Sequence, residues 1–207
     1  MPKVTCYRSA NKIIGPCGPC TFINLIGLKG DPKLEKKLQK IGRIKPFYAS
    51  DFTSFLVWAE KYKLNVKVFV EKLKLKEGTF KMMFKYENIP KEKQQQKRKE
   101  CIKRREDIIR KNKGKIFLLK KDPLKQIDEL LTKGYSVAFT LGFHEKGKNF
   151  IVGHMRVAYK KEKSIYFIKD SEHGLLKLSE KEMKQDLKNL KVIGSNYEII
   201  ALKTKIP

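Results

Sequence analysis

The spacing of apolar residues in the first 70 positions predicts three helices and a strand. From Pro19 to Leu28 apolar side chains occupy most sides of a helical wheel, which indicates a mostly buried helix that begins at a pair of cysteines. A charged helix is predicted around Pro32 to Ile41, and residues Asn65 to Val70 alternate as a strand. The third helix, with Ser50 as its N-cap, has an apolar face formed by Phe52, Phe55, Leu56 and Ala59. The chain is therefore predicted to begin with a helical lobe.

The last third of the chain is rich in strand patterns. It starts with a helix, "DPLKQIDELLTKGY", in which Asp122 is the N-cap, Pro123 is the first helical residue and Gly134 follows the end. A short helix is predicted near Ser179 to Asn189. Four segments alternate as strands: "SVAFTLGF", "HMRVAYK", "SIYFIKD" and "SNYEIIALK". Helices followed by an antiparallel sheet indicate an α+β fold.

A polar segment, Glu71 to Lys121, separates these two parts. Within it we interpret "TFKMMFKY" as a strand and "PKEKQQQKRKECIKRREDIIRKNKGK" as an exposed basic helix with sparse apolar positions. The segment is interpreted as an insertion. The 207 residues are thus predicted to form a single domain, with a helical lobe at 1–70, a basic insertion at 71–121 and a sheet lobe at 122–207.

The chain is extremely basic, because 48 Lys and Arg against 22 Asp and Glu give a formal net charge of +26. Such a field attracts nucleic acids, anionic membranes or acidic proteins whatever the fold. Lysine greatly outnumbers arginine, so we interpret most of the charge as solvated surface of the kind that thermophilic proteins carry. No apolar run is long enough for a membrane helix, and the N-terminus lacks a signal peptide pattern. We therefore expect a cytoplasmic protein without membrane contact, and the sequence determines no oligomeric state.

Two of the predicted strands place a histidine beside a carboxylate. If Met155 to Lys160 and Ser164 to Lys169 are joined by a three-residue turn centred on Glu162, then His154 lies opposite Asp170. Directly opposed side chains have Cβ atoms about 5 Å apart. A carboxylate on one ring nitrogen fixes the tautomer, so that the other nitrogen can deprotonate a nucleophile. The hairpin therefore predicts a general base and its orienting group.

The segment "GPCGPCTFINLIG" offers a thiol for this base. A cysteine in the first turn of a helix has its thiolate stabilised by the helix dipole and by a neighbouring imidazolium. One alternative is a redox dithiol, which needs a strand just before the motif and a proline-containing loop later in the chain. Another is a zinc site that also uses Cys6 and Cys101, but the chain lacks the second closely spaced pair of ligands that such a site needs. A third is that both cysteines are simply buried. We interpret His144 and His173 as exposed bystanders, and we predict neither a metal nor a cofactor.

Three phrases of the chain occur in a recognisable order. They are "CGPCTFINLIG", "SDFTSFLVWAEKYKLNVKV", and "GHMRVAYKKEKSIYFIKDS" followed by "GLLKLSEKEM". Together they resemble the papain-like cysteine peptidases of the bacteriocin-leader-processing, or double-glycine, type, over about two thirds of the chain. The resemblance implies a papain-like fold with no metal or organic cofactor. It also implies that Cys17 is the nucleophile, His154 the general base and then acid, and Asp170 the orienting carboxylate.

Position 11 departs from this family, whose members carry a glutamine six residues before the nucleophile to stabilise the oxyanion. This chain has Asn11 at that position. The asparagine amide can also donate a hydrogen bond to the oxyanion, but its side chain is one methylene shorter than that of glutamine. Taking Cys20 as the nucleophile would put Ile14 at that position, where no donor exists, so Cys17 is preferred. The implied function is that of a cysteine peptidase-like hydrolase, which cleaves a peptide or amide bond in a peptide or protein substrate. The alternatives are a weakly active or inactive scaffold that binds nucleic acid or an acidic partner through its basic surface, and an acyltransferase with the same triad.

Overall fold

The structure, a computed structural model, describes residues 17–28, 32–42, 50–144 and 151–203, which combine helices with one sheet. The α-helices are α1 (Cys17–Ile26), α2 (Pro32–Gly42), α3 (Phe52–Lys61), α4 (Glu77–Tyr86), α5 (Lys91–Lys111), α6 (Pro123–Thr132) and α7 (Glu180–Val192). The strands are β1 (Val66–Val70), β2 (Ile116–Leu118), β3 (Tyr135–His144), β4 (Ile151–Glu162), β5 (Ile165–Asp170), β6 (Gly174–Ser179) and β7 (Glu198–Lys203). The prediction of a chain that mixes helices with a sheet is confirmed.

The strands form a single sheet in the order β2-β1-β7-β3-β4-β5-β6. Neighbouring strands are antiparallel, except that β1 and β2 are parallel. Strand β7 lies between β1 and β3, so a strand from the end of the chain joins strands of the first and last thirds. The strands of residues 122–207 are antiparallel to one another, as the sequence predicts, and they continue directly into the strands of the earlier residues.

Apolar side chains cover both faces of this sheet. On one face α1 and α3 pack on β1, β4 and β7, and their side chains Phe22 and Trp58 are fully buried. On the other face α6 and α7 pack on β3, β5 and β7, through residues such as Ile127 and Met183. The sheet is therefore the middle of three layers.

Trp58, the single tryptophan of the chain, holds three helices together. Its indole Nε1 donates a hydrogen bond of 2.8 Å to the carbonyl oxygen of Leu38 in α2, and its ring lies 5.3 Å from the Phe22 ring in α1. A Cβ atom at Gly42 would lie 2.0 Å from the indole Nε1, so α2 can approach this ring only with glycine at that position. The helix that carries Cys17 is thus fixed against α2 and α3.

The prediction of a strand at "TFKMMFKY" is wrong, because these residues form most of helix α4. Phe80, Met83 and Phe84 follow the i, i+3, i+4 spacing of a helix face. That face packs against the buried Cys101 of α5 in a small core of its own. The local alternation of apolar and polar residues was compatible with both structures, and packing against α5 favours the helix.

The predicted basic helix is confirmed as α5, but it is not exposed on all sides. Cys101 is buried, and Arg105 exposes only 4% of its surface. The Arg105 Nε donates a hydrogen bond of 2.7 Å to Asp51 Oδ2, and its Nη2 lies 3.8 Å from Glu198 Oε1 in β7. An ionic cluster therefore connects the basic segment to the N-terminus of α3 and to the sheet.

The N-cap of α3 is Asp51 and not the predicted Ser50. The Asp51 Oδ1 accepts a hydrogen bond of 2.8 Å from the backbone N–H of Thr53, and the Ser54 hydroxyl accepts one from the Asp51 N–H. These reciprocal bonds form a capping box. The apolar face predicted for this helix is correct, because Phe52, Phe55, Leu56 and Ala59 are fully buried.

The hairpin of β4 and β5 has a different register from the predicted one. Glu162 pairs with Ile165 across a two-residue turn in which Lys163 has a positive φ of 51°. A bulge at Tyr159 then shifts the pairing, so that Ala158 lies opposite Ile168. His154 is therefore not directly opposite Asp170, as the three-residue turn would have required. The cause is the shorter turn together with the bulge, neither of which alternation alone reveals.

Candidate active site

Cys17 is the first residue of α1, which places its thiol at the positive end of the helix dipole. A Cβ atom at Gly18 would lie 2.4 Å from Ser50 Cβ, so glycine after the cysteine lets this end of the helix approach the start of α3. One turn further on, the Thr21 hydroxyl donates a hydrogen bond of 3.1 Å to the carbonyl oxygen of Met155. Because Met155 is the neighbour of His154, this bond ties the first turn of α1 to the part of β4 that carries the histidine.

His154 joins the thiol to a carboxylate. Its Nε2 lies 3.3 Å from Asp170 Oδ2, and its side chain also forms a hydrogen bond with Cys17. Only 3% of His154 is exposed, and Asp170 is fully buried. Burial lowers the pKa of His154, but the hydrogen bonds to Asp170 and Cys17 outweigh it and raise the pKa to about 9. The imidazole is therefore held in its charged form at neutral pH.

Asp170 receives hydrogen bonds from several directions. Its Oδ2 also accepts a bond of 2.5 Å from Arg156 Nε, and its Oδ1 accepts the backbone N–H groups of Glu172 and His173 at 2.6 and 3.0 Å. Burial raises the pKa of Asp170, but His154 and Arg156 hold it well below its usual range. The carboxylate at the end of β5 is thus ionised and fixed in orientation.

No protein-family model matches the chain, and no curated protein or solved structure matches it either.

Sequence reasoning missed three residues of this site. Arg156 bridges two acids, since its Nη1 also contacts Asp186 of α7 at 2.5 Å. Burial raises the pKa of Asp186, although Arg156 acts in the opposite direction. His173 is exposed, as predicted, but it is not a bystander, because its Nδ1 lies 3.3 Å from Asp170 Oδ1. The signal for Arg156 was present in the sequence, because it is two residues from His154 on the same strand face.

The remaining predicted positions differ in their surroundings. Cys20 is 1% exposed and packs in the core under α1, whereas Cys17 is half-buried. Burial raises the pKa of the Cys101 thiol to about 12. Among the described residues, neither the two α1 cysteines nor Cys101 forms a disulfide. Asn11 and Cys6 lie outside the described residues.

Among the described residues no group of three His, Cys, Asp or Glu side chains is arranged to hold a metal ion. Within the same part of the chain, no helix combines the length and apolar composition that a bilayer crossing requires. The site as described is thus a thiol, an imidazolium and a fixed carboxylate, contributed by the start of a helix and the open end of a hairpin. Such a group can attack a carbonyl carbon and transfer a proton.

Proposed function

We propose that the protein is a papain-like cysteine hydrolase that cleaves a peptide or amide bond. The observation that carries this proposal is the chain of hydrogen bonds from Cys17 through His154 to Asp170. A nucleophile helix packed against an antiparallel sheet that carries the histidine and the aspartate also fits the family that the sequence phrases resemble. The carboxylate orients the imidazole, and the imidazole activates the thiol.

In the proposed reaction the Cys17 sulfur forms a bond to the substrate carbonyl carbon. The C–N bond of the substrate then breaks, and the amine leaves with a proton from His154. Water next attacks the thioester, gives its proton to His154, and displaces the sulfur as the acid product is released. If an amine attacked the thioester in place of water, the same residues would catalyse acyl transfer. Hydrolysis and acyl transfer therefore differ only in the molecule that accepts the acyl group.

The oxyanion formed at each attack requires hydrogen-bond donors. The first N–H groups of a helix have no acceptor within that helix, and in α1 these groups belong to Cys17 and the residues that directly follow it. Asn11 is the proposed side-chain donor. Replacing it with alanine is expected to slow acylation about a hundredfold, the usual effect of losing one such donor.

The proposal is tested by the reactivity of Cys17. Iodoacetamide at neutral pH is expected to label the wild-type chain at this residue, and Cys17→Ala is expected to abolish the labelling. Cys20→Ala is the matched control, because it removes a buried thiol three residues away in the same helix. Labelling that persists after Cys17→Ala would refute the assignment.

Acylation is tested separately with p-nitrophenyl acetate. One equivalent of p-nitrophenolate should be released in a burst from the wild-type chain and none from Cys17→Ser. Because alkylation builds no oxyanion, Asn11→Ala should reduce the burst rate and leave the iodoacetamide rate unchanged. Equal rates of acylation with and without Asn11 would remove it from the mechanism while leaving the thiol assignment intact.

A further inference from the structure

One face of the outer strands β4, β5 and β6 carries a set of half-buried and exposed side chains. Along β5 the residues Tyr166 and Ile168 are buried, whereas the alternate residues Phe167 and Lys169 are only half-buried. The pairing places Lys160 and Lys177 on either side of Phe167, and Leu175 beside Lys169. We call this set the aromatic–lysine patch; it consists of Tyr159, Lys160, Phe167, Lys169, Leu175 and Lys177.

Two aromatic rings form the centre of the patch. The bulge on β4 brings Tyr159 next to Phe167, with ring centroids 6.2 Å apart and planes tilted by 57°. The Nζ atoms of Lys160 and Lys177 lie 5.6 and 5.5 Å from the Phe167 centroid. The Nζ of Lys169 lies 5.6 Å from the Tyr159 centroid. Three ammonium groups thus lie over the faces of these two rings.

The charge of the patch is unbalanced. Glu162 forms an ion pair with Lys160, and both side chains are more than half exposed. Lys169 is partly desolvated, and this burial lowers its pKa. A poorly hydrated ammonium group gives up little water when an anion approaches. Leu175, which is 49% exposed, adds an apolar surface beside Lys169.

We propose that the aromatic–lysine patch binds single-stranded nucleic acid: the three lysine side chains turn from the ring faces to the phosphates, and bases take their place on Tyr159 and Phe167. Each base presents a flat face to an aromatic ring, whereas the bases of a duplex are already stacked on one another. An acidic peptide could form ion pairs with the lysines, but it would have no flat group to stack on the two aromatic rings. The proposal is independent of the thiol chemistry, because no residue of the patch belongs to the Cys17 site.

The test is fluorescence anisotropy with labelled dT12 and dA12 oligonucleotides at 50 to 200 mM KCl. Phe167→Leu keeps an apolar side chain but removes the stacking surface, and it should weaken binding about tenfold, as loss of one stacked base does. Phe117→Leu is the matched control, because Phe117 is a 42% exposed aromatic on β2, at the opposite edge of the sheet, where it stacks on Phe69. This control should leave the affinity unchanged.

Two further variants make the result specific. Phe167→Tyr should restore wild-type affinity, which separates stacking from folding. Lys177→Gln should lower the slope of log K against log salt by about 0.7, the value for one phosphate contact on a single strand. Equal losses in Phe167→Leu and Phe117→Leu would overturn the proposal. So would equal or tighter binding to a duplex of the same length or to vesicles rich in phosphatidylserine. All variants should keep the wild-type iodoacetamide rate at Cys17.

Discussion

Two buried ionic clusters connect distant parts of this chain, and they differ in their balance of charge. The Arg105 cluster consists of Arg105, Asp51 and Glu198. The Asp170 cluster consists of Asp170, His154, Arg156 and Asp186, with Cys17 at its end. Each contains an arginine from one element and carboxylates from others, yet only the second reaches a nucleophile.

In the Arg105 cluster two carboxylates share one guanidinium. Burial and the nearby Asp51 raise the pKa of Glu198 to about 8, so this acid is held in its neutral form. In the Asp170 cluster Asp170 and Asp186 also share one guanidinium, that of Arg156, but His154 adds a second cation beside Asp170, which stays ionised. A second cation beside a buried carboxylate thus maintains the separated charge that an activated thiol requires.

The largest expected effect is on stability, from breaking the Arg105 cluster. Arg105→Met leaves the buried Asp51 carboxylate without its cation, and removing one partner of a buried ion pair costs about 3–5 kcal/mol. Urea denaturation followed by circular dichroism measures the loss. Arg110→Met, at a side chain that is 74% exposed on the same helix, is the control and should change little. Similar losses in both variants would show that the buried cluster contributes no special stability.

The next largest effect is on reactivity, from breaking the Asp170 cluster. An ordinary thiol is about 1% ionised at pH 6.5, so His154→Ala should slow alkylation of Cys17 at that pH by up to about a hundredfold. Mass spectrometry of the iodoacetamide reaction between pH 5 and 9 measures the rate. Arg105→Met should leave this rate unchanged in the folded protein. A normal rate in His154→Ala would mean that the histidine does not activate the thiol.

The pH dependence of stability separates the two clusters further. The folded protein holds the Glu198 proton up to about pH 8, whereas the unfolded chain loses it near 4.5, so stability falls as the pH rises between these values. His154 has a raised pKa, so its contribution is complete below pH 6.5 and is lost as the pH rises through about 9. Glu198→Gln should therefore remove the fall between pH 5 and 6.5 and keep the later one. Thermal melts across this range measure both, and an unchanged curve in Glu198→Gln would contradict the assignment.

The smallest expected effect concerns the balance inside the Asp170 cluster. The carboxylate of Asp186 offsets part of the Arg156 charge, so Asp186→Asn should leave more positive charge beside His154. We expect the pKa of His154 to fall by up to about one unit, as a nearby like charge does. The titration of the His154 ring protons by NMR measures it. Asp107→Asn, an exposed acid on α5, should leave that pKa unchanged. A rise in Asp186→Asn would have the wrong sign.

The sequence predicted those features that depend on local periodicity. Helix α1 begins at the cysteines, α6 has its predicted Asp122 cap and Gly134 end, and β1, β3, β4, β5 and β7 lie close to their predicted positions. His154 and Asp170 also meet, although by a different pairing. Periodicity succeeds here because each of these segments buries one clear face.

The features that were missed depend on contacts between distant residues. The register of the hairpin is set by a turn with a positive φ at Lys163, which no residue type in that turn announces. The burial of Arg105 requires Asp51 and Glu198, which lie 54 and 93 positions away in the sequence. Helix α4 is chosen by its packing on α5. Contacts of this kind cannot be predicted from local sequence patterns, because the partners are close together only in the folded chain.

Trp58 is an intrinsic fluorescence probe of the helices that it contacts. Because the chain contains no other indole, its tryptophan emission comes from a single place, the junction of α1, α2 and α3. A change in that emission would therefore report that the helix carrying Cys17 has moved or come loose. Acylation of the thiol without such a change would mean that the reaction proceeds on a rigid helix, and a fluorimeter can follow this without any attached label.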